Sequence, residues 1–220
     1  MPLALHSPLI YLITSGQTTV RTTPPTEEFR SVLKQVRKAV AARIDLVQLR
    51  EKSLRADVLF QLATSAAVLT KGSATKLLIN DRCDIAAAAG ADGVHLARTS
   101  LPTVVVRQSF GADFLIGVST HSLEEARLAR SDGADFVVFG PVFETPSKKK
   151  YGDALGLSVL ASVCAELSTF PVLAIGGVEV ENVIDCVRAG AQGVAAIGML
   201  QEPDRLADIT HEIRRSSRRD

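Results

Sequence analysis

The sequence is short of several features that would direct a reading elsewhere. It has almost no charge imbalance. Its 25 Lys and Arg face 24 Asp and Glu, a net charge of +1, so no broad basic field points to nucleic acid. Cysteine is scarce: Cys83, Cys164 and Cys186 are widely spaced and form no CxxC pair. That argues against a disulfide framework or a zinc site and suits a reducing cytoplasm. No apolar run is long enough to span a bilayer, so no membrane association is expected. The opening MPLALHSPLIYLIT lacks the basic region and small-residue cleavage site of a secretory leader, and reads better as a first strand. No GxGxxG follows that run, which weighs against a dinucleotide-binding fold.

What the chain does have is alternation. Short apolar runs occur at Leu9–Thr14, Asp45–Arg50, Lys76–Asn80, Gly93–Leu96, Leu115–Ser119, Phe136–Gly140, Val172–Ile175 and Gly193–Ile197. Near-continuous apolar character fits strands buried on both faces. Helical patterns separate them at Glu27–Ala42, Asp57–Thr70, Ser122–Ser131, Val180–Ala189 and Glu202–Arg214, with short helices after Cys83 and Leu101. Cys164 and Cys186 also lie in apolar helical patterns. Ser122 with Glu125 three residues on predicts a capping box. A weak repeat, Gly90-Ala91-Asp92-Gly93-Val94, Gly133-Ala134-Asp135-Phe136-Val137 and Gly190-Ala191-Gln192-Gly193-Val194, closes a helix and opens a strand each time. Eight alternating units predict a single α/β domain, a (β/α)₈ TIM barrel over 1–220. Its core would cover about 9–200, with 201–220 a C-terminal helix and a solvated basic tail. An open doubly wound sheet is the alternative.

Barrel chemistry sits at the C-terminal ends of the strands, and those ends are polar here. After strand two, Gln48, Arg50 and Lys52 alternate onto one side, a set suited to an anion. After strand three, Asp81 could hold a hard cation or cap the next helix. After strand five come Ser119, Thr120 and His121, hydroxyls for phosphate and a group able to move a proton near neutral pH. After strand six, Thr145, Ser147 and Lys148-Lys149-Lys150 stand in a long loop that could close as a lid. After strands seven and eight, Gly176-Gly177 and Gly198 let backbone amides approach a phosphate, at the frequent phosphate site of such barrels. The polar segment Ser15–Thr26 is either a second lid or an ordered surface loop.

The ordered set VQLREK, LLINDRCDIA, GADGVHL, GVSTHSLEEA, FGPVFETPSKKK, AIGGV and AGAQGVAAI resembles the thiamine-phosphate synthase and thiazole tautomerase superfamily. The likeness runs from Tyr11 to about Leu200. It implies an Mg²⁺-dependent transferase of thiamine biosynthesis. Such an enzyme joins hydroxymethylpyrimidine diphosphate to a thiazole phosphate and releases pyrophosphate by a dissociative route. By the same resemblance Gln48, Leu49, Arg50, Glu51 and Lys52, with Asn80 and Ser119, match the pyrimidine-diphosphate segment. Asp81 matches one Mg²⁺ ligand. Thr145, Pro146 and Ser147 match the loop near the thiazole, and Lys148 the lysine on the diphosphate. Gly176, Gly177, Ile197 and Gly198 match the thiazole-phosphate loops. Arg50, Lys52, Lys148, Ser119 and His121 are the expected catalytic groups.

Two positions depart from the pattern. Ser100 stands where a second Mg²⁺-binding aspartate is usual, and Gly198 replaces the usual serine. They keep a thiazole tautomerase acting through His121, and a non-catalytic thiazole-phosphate sensor, as alternatives. The retained diphosphate set favours the synthase. A sugar-phosphate epimerase would need paired carboxylates at strand ends, and none is evident. Partners are expected to be phosphorylated small molecules, with a homo-oligomer compatible.

Overall fold

The computed structural model describes residues 8–144 and 154–216. Eight parallel strands pair in sequence order and close into a barrel. They are β1 (Leu9–Ile13), β2 (Leu46–Leu49), β3 (Lys76–Asn80), β4 (Gly93–Leu96), β5 (Leu115–Thr120), β6 (Phe136–Phe139), β7 (Val172–Ile175) and β8 (Gly193–Ala196). The outer helices are α1 (Glu27–Ala41), α2 (Ala56–Thr70), α3 (Cys83–Ala89), α4 (Thr103–Phe110), α5 (Leu123–Ser131), α6 (Gly156–Glu166), α7 (Val183–Arg188) and α8 (Leu206–Ser216). Closure between β1 and β8 excludes the open doubly wound sheet.

Strand alternation divides the apolar residues between two cores. One set faces inward and fills the barrel: Leu9, Tyr11, Ile13, Leu46, Leu78, Phe136, Val138, Leu173 and Ala195. The opposite parity packs against the helices, as Val47 and Leu49 do. In α1, Phe29, Val36 and Ala39 recur at helical spacing and are the buried stripe. At the start of α5 the Glu125 amide donates to Ser122 Oγ at 3.1 Å. The Glu125 carboxylate accepts from the His121 amide, one residue before the cap, so the second half of the expected capping box is displaced by one position.

The internal repeat has a structural cause. The residue before each even strand accepts from a backbone amide near the start of the preceding odd strand. Asp92 accepts from the Leu77 amide (2.8 Å), Asp135 from Ile116 (2.7 Å) and Gln192 from Val172 (2.7 Å). A fourth member, Asp45, accepts from Ile10 at 2.9 Å. Gly90, Gly133 and Gly190 all have positive φ, as helix-ending residues at this position do. The fourth copy has Arg43 there instead, also with positive φ (56°).

One expectation needs correction. The C-terminal basic segment is not wholly a solvated tail. Arg214 lies in α8 and bonds the Asp45 carboxylate (3.1 Å) and the Arg43 carbonyl (2.8 Å). α8 is the eighth helix of the outer ring and the last of the expected set.

Candidate active site

Because all eight strands are parallel, their C-terminal ends share one face. Gln48 ends up inside the barrel and 1% exposed, its Nε2 donating to the Tyr11 hydroxyl at 2.9 Å. The Tyr11 oxygen lies 3.2 Å from His95 Nδ1. His95 Nε2 lies 2.8 Å from Ser119 Oγ. Ser119 is half-buried near the end of β5. The rings of Tyr11 and Phe136 meet edge to face at 5.7 Å, with His95 beside both. Gly117 makes room for them, since a Cβ there would stand 2.3 Å from the Phe136 ring. Burial, aided by the Arg50 charge, holds the His95 imidazole down to about 3. Burial pushes the Tyr11 phenol well above its ordinary value.

Arg50 is half-buried and Lys52 exposed. Parity turns Leu49 and Glu51 away from the mouth. Leu49 is fully buried in the outer core, so contact with a ligand is left to its backbone. Glu51 is 3% exposed and ties down the loop after β1. Its Oε1 accepts from Thr14 Oγ1 (2.6 Å) and the Gly16 amide (3.3 Å), and its Oε2 from Thr18 Oγ1 (2.6 Å) and the Thr18 amide (3.3 Å). The Arg50 amide donates to the same Thr14 oxygen at 2.9 Å. A Cβ at Gly16 would stand 3.7 Å from Arg50 Nη1, so the loop rests on the arginine. The Ser15–Thr26 segment is thus latched against the second strand's end at its start, through Gly16 and Thr18.

Asp81 does not cap α3: no side-chain cap bond is made there and the cap position is Arg82. Asp81 is exposed, in the left-handed region (φ 64°) that aspartate tolerates. Its carboxylate makes no hydrogen bond or ion pair among the described residues. Asn80 is half-buried at the end of β3. Ser100 Oγ accepts from the Ala97 amide at 2.8 Å, closing a turn. Neither nearby aspartate replaces the missing carboxylate. The Arg82 guanidinium grips Asp84 at 2.6 and 2.8 Å and holds its carboxyl below the usual range. Asp92 stitches the opposite end of the barrel. Among the described residues no group of three or more His, Cys, Asp or Glu could hold a metal. One free carboxylate does fit Mg²⁺ of the kind that takes its remaining ligands from water and substrate phosphate.

On the far side of the mouth the loop after β7 is sewn to the loop after β6. The Phe143 amide donates to the Gly176 carbonyl at 2.9 Å and Asn182 Nδ2 to the Gly177 carbonyl at 2.9 Å. With the carbonyls so engaged, the Gly177 amide is left without a partner among the described residues. A Cβ on Gly177 would stand 2.6 Å from the Glu144 carbonyl oxygen, and its φ is +62°. Ile197 leads into a single helical turn, Gly198–Leu200, whose first amides have no intrahelical partner. Such a turn is a ready anion site. His121 is exposed, with its Nδ1 bonded to the Gly140 carbonyl. Thr145, Pro146, Ser147 and Lys148 lie outside the described residues.

The chain matches the thiamine monophosphate synthase family over residues 10–200. The chain belongs to that family. A thiamine-phosphate synthase of Syntrophomonas wolfei is 41% identical over 84% of this chain and 87% of its own length. One of Roseiflexus castenholzii is 39% identical over 80% of this chain and 77% of its own. Among solved structures, the thiamine phosphate pyrophosphorylase of Pyrococcus furiosus superposes with a TM-score of 0.75 at 27% identity, covering 94% of this chain and 96% of that one. A 3-hexulose-6-phosphate synthase shares the fold alone, at 18% identity and a TM-score of 0.64. The family assignment therefore rests on sequence, because the barrel itself carries many chemistries.

Sequence reasoning did not single out Tyr11 and His95, which the structure joins to the candidate residues Gln48 and Ser119. Both sit in apolar strand runs and read as packing. The available signal was parity: Tyr11 shares the inward face of β1 with Leu9 and Ile13, and a polar ring on that face needs a partner inside the barrel.

Proposed function

We propose that the protein is a thiamine-phosphate synthase, a transferase that couples hydroxymethylpyrimidine diphosphate to thiazole carboxylate phosphate with release of pyrophosphate. The observation that carries this reading is the pairing of two anion-binding features on one barrel mouth. Arg50 stands beside the Ser119–His95 pair on one side, and the Gly177 and Gly198 turns on the other. A tautomerase would need only the second.

In this reading Arg50 and Lys52, with Lys148, bind the diphosphate and balance the charge that grows on it as the C–O bond breaks. Asn80 and Ser119 donate to the same substrate. Gly176, Gly177, Ile197 and Gly198 seat the thiazole phosphate, with Thr145, Pro146 and Ser147 closing beside the ring. Asp81, with substrate phosphate oxygens, would hold Mg²⁺, and Ser100 is its weaker neutral neighbour; the ion adds positive charge to the leaving pyrophosphate. Held together in a site that excludes water, the pyrimidine-methyl cation meets the thiazole nitrogen before it meets solvent. The buried, unbridged thiols of Cys83, Cys164 and Cys186 suit a cytoplasmic setting.

One observation keeps the tautomerase as the second reading. The Gly140 carbonyl accepts from His121 Nδ1, which leaves Nε2 of the exposed ring as the nitrogen that can exchange a proton with a substrate. A coupling assay separates the two. Protein, Mg²⁺ and both substrates should give thiamine phosphate and pyrophosphate together. Conversion of the thiazole tautomer without either product would make the protein a tautomerase. Binding of thiazole phosphate with no turnover would make it a sensor.

A further inference from the structure

Gln48, Tyr11, His95 and Ser119 form one hydrogen-bonded chain across the inside of the barrel, from β2 through β1 and β4 to β5. The first three are almost completely buried. In such a chain each group can donate only where its neighbour accepts, so the polarity at one end sets the polarity at the other.

Gln48 donates from Nε2, so the Tyr11 oxygen accepts. The phenol proton then has His95 Nδ1 as its acceptor. That nitrogen must carry the lone pair, and the neutral ring keeps its proton on Nε2. With that polarity His95 Nε2 is the donor to Ser119 Oγ, 2.8 Å away, which leaves the serine proton free to turn from the histidine. Gln48, Tyr11 and His95 are 1%, 0% and 3% exposed, so solvent offers the chain no competing partner between its two ends.

We propose that His95 is a positioning residue: held as the Nε2–H tautomer by Tyr11 and Gln48, it makes Ser119 a dedicated hydroxyl donor to an anionic oxygen of the diphosphate substrate. The anionic partner follows from Arg50, whose charge is close enough to act on the His95 ring. A serine hydroxyl ordinarily rotates to suit its surroundings. One that instead donated to histidine would turn lone pairs on the incoming anion. Fixing the rotor in advance removes a reorganisation that would otherwise accompany binding and reaction. The proposal rests on the synthase reading for the identity of the anion, not for the tautomer.

The test uses His95→Gln and His95→Asn. A glutamine amide reaches the position of the imidazole Nε2 and keeps a donor to Ser119. An asparagine amide reaches only the Nδ1 position. Binding of inorganic pyrophosphate with Mg²⁺ is measured by calorimetry, alongside kcat and KM for the pyrimidine diphosphate. His95→Gln should stay within about threefold of wild type, while His95→Asn and Ser119→Ala both weaken pyrophosphate by about tenfold or more. Equal affinity in the Gln and Asn variants, with Ser119→Ala impaired, would overturn the proposal. Long-range ¹H–¹⁵N correlation on the wild-type protein reads the tautomer even where neither variant folds. A protonated Nδ1 would overturn the proposal outright, because the chain would then run the other way. Wild-type protein that shows the Nε2–H tautomer but binds no pyrophosphate would sink the synthase reading, and the anionic partner with it.

Discussion

The Asp135 carboxylate accepts a hydrogen bond from the Ile116 amide at 2.7 Å, and the Arg107 guanidinium closes on the same oxygen at 2.7 Å. Arg107 also bonds the carbonyls of Gly133 (2.9 Å) and Phe114 (2.8 Å). This knot sits at the end of the barrel opposite the site, where residues act on stability and not on chemistry. Asp135→Ala would leave a strand amide unsatisfied and a half-buried guanidinium without its counterion. The loss should be about 2–4 kcal/mol. Denaturant unfolding measures it, and turnover per folded molecule should be unchanged. A stability within about 0.5 kcal/mol of wild type would show that the repeat has no energetic role.

Glu51 is the corresponding tie at the active face. Its two oxygens serve four donors from the loop after β1. In Glu51→Gln one oxygen becomes an NH₂, which cannot accept, so about half of these bonds are lost. We expect a cost of about 1–3 kcal/mol and faster proteolysis within Ser15–Thr26. The loop rests on Arg50, so KM for the pyrimidine diphosphate should rise more than kcat falls. Unchanged cleavage of the loop would mean that Glu51 does not hold it.

His95 gives a pH dependence whose sign is determined by burial. In the unfolded chain its imidazole takes up a proton below about 6.5; in the folded barrel it stays neutral until about pH 3. Between those values the unfolded state binds more protons, so stability falls as the pH falls. The loss from this residue is about 2 kcal/mol at pH 5 relative to pH 8. Comparing wild type with His95→Gln isolates it from the carboxylates. The variant should lose markedly less stability over that interval. Identical slopes would show that the ring is not buried neutral.

Much of the barrel was legible because two-sided burial writes each strand as an apolar run. The run ends agree with the strand ends to within one residue. The repeat was visible in the copies that keep glycine and hidden in the one with Arg43, whose backbone adopts the same left-handed conformation despite its side chain. The site was legible where its groups project from strand ends. Parity already placed Gln48 and Arg50 on one side, and so implied the opposite side for Leu49 and Glu51. Tyr11 and His95 were not legible as site residues. Each has a polar partner on an adjacent strand, but the bond between them joins β1 to β4, and only closure of the barrel brings those strands face to face across its interior.

The two glycines of the phosphate turns make opposite demands, and substitution should separate them. Gly177 has φ +62° and a backbone oxygen 2.6 Å from where a Cβ would stand, so Gly177→Ala must displace the loop and should destroy thiazole-phosphate binding. Gly198 has nothing within 4 Å of its Cβ position and no positive φ. A side chain is therefore accommodated there without strain. Gly198→Ser adds a hydroxyl beside the amides proposed to seat the thiazole phosphate. One additional hydrogen bond to a charged group should lower KM for the thiazole phosphate roughly threefold to thirtyfold, with kcat and stability little changed. The gain should vanish with the unphosphorylated thiazole alcohol, which has no charge to meet the hydroxyl. An equal effect on both compounds would place the phosphate elsewhere.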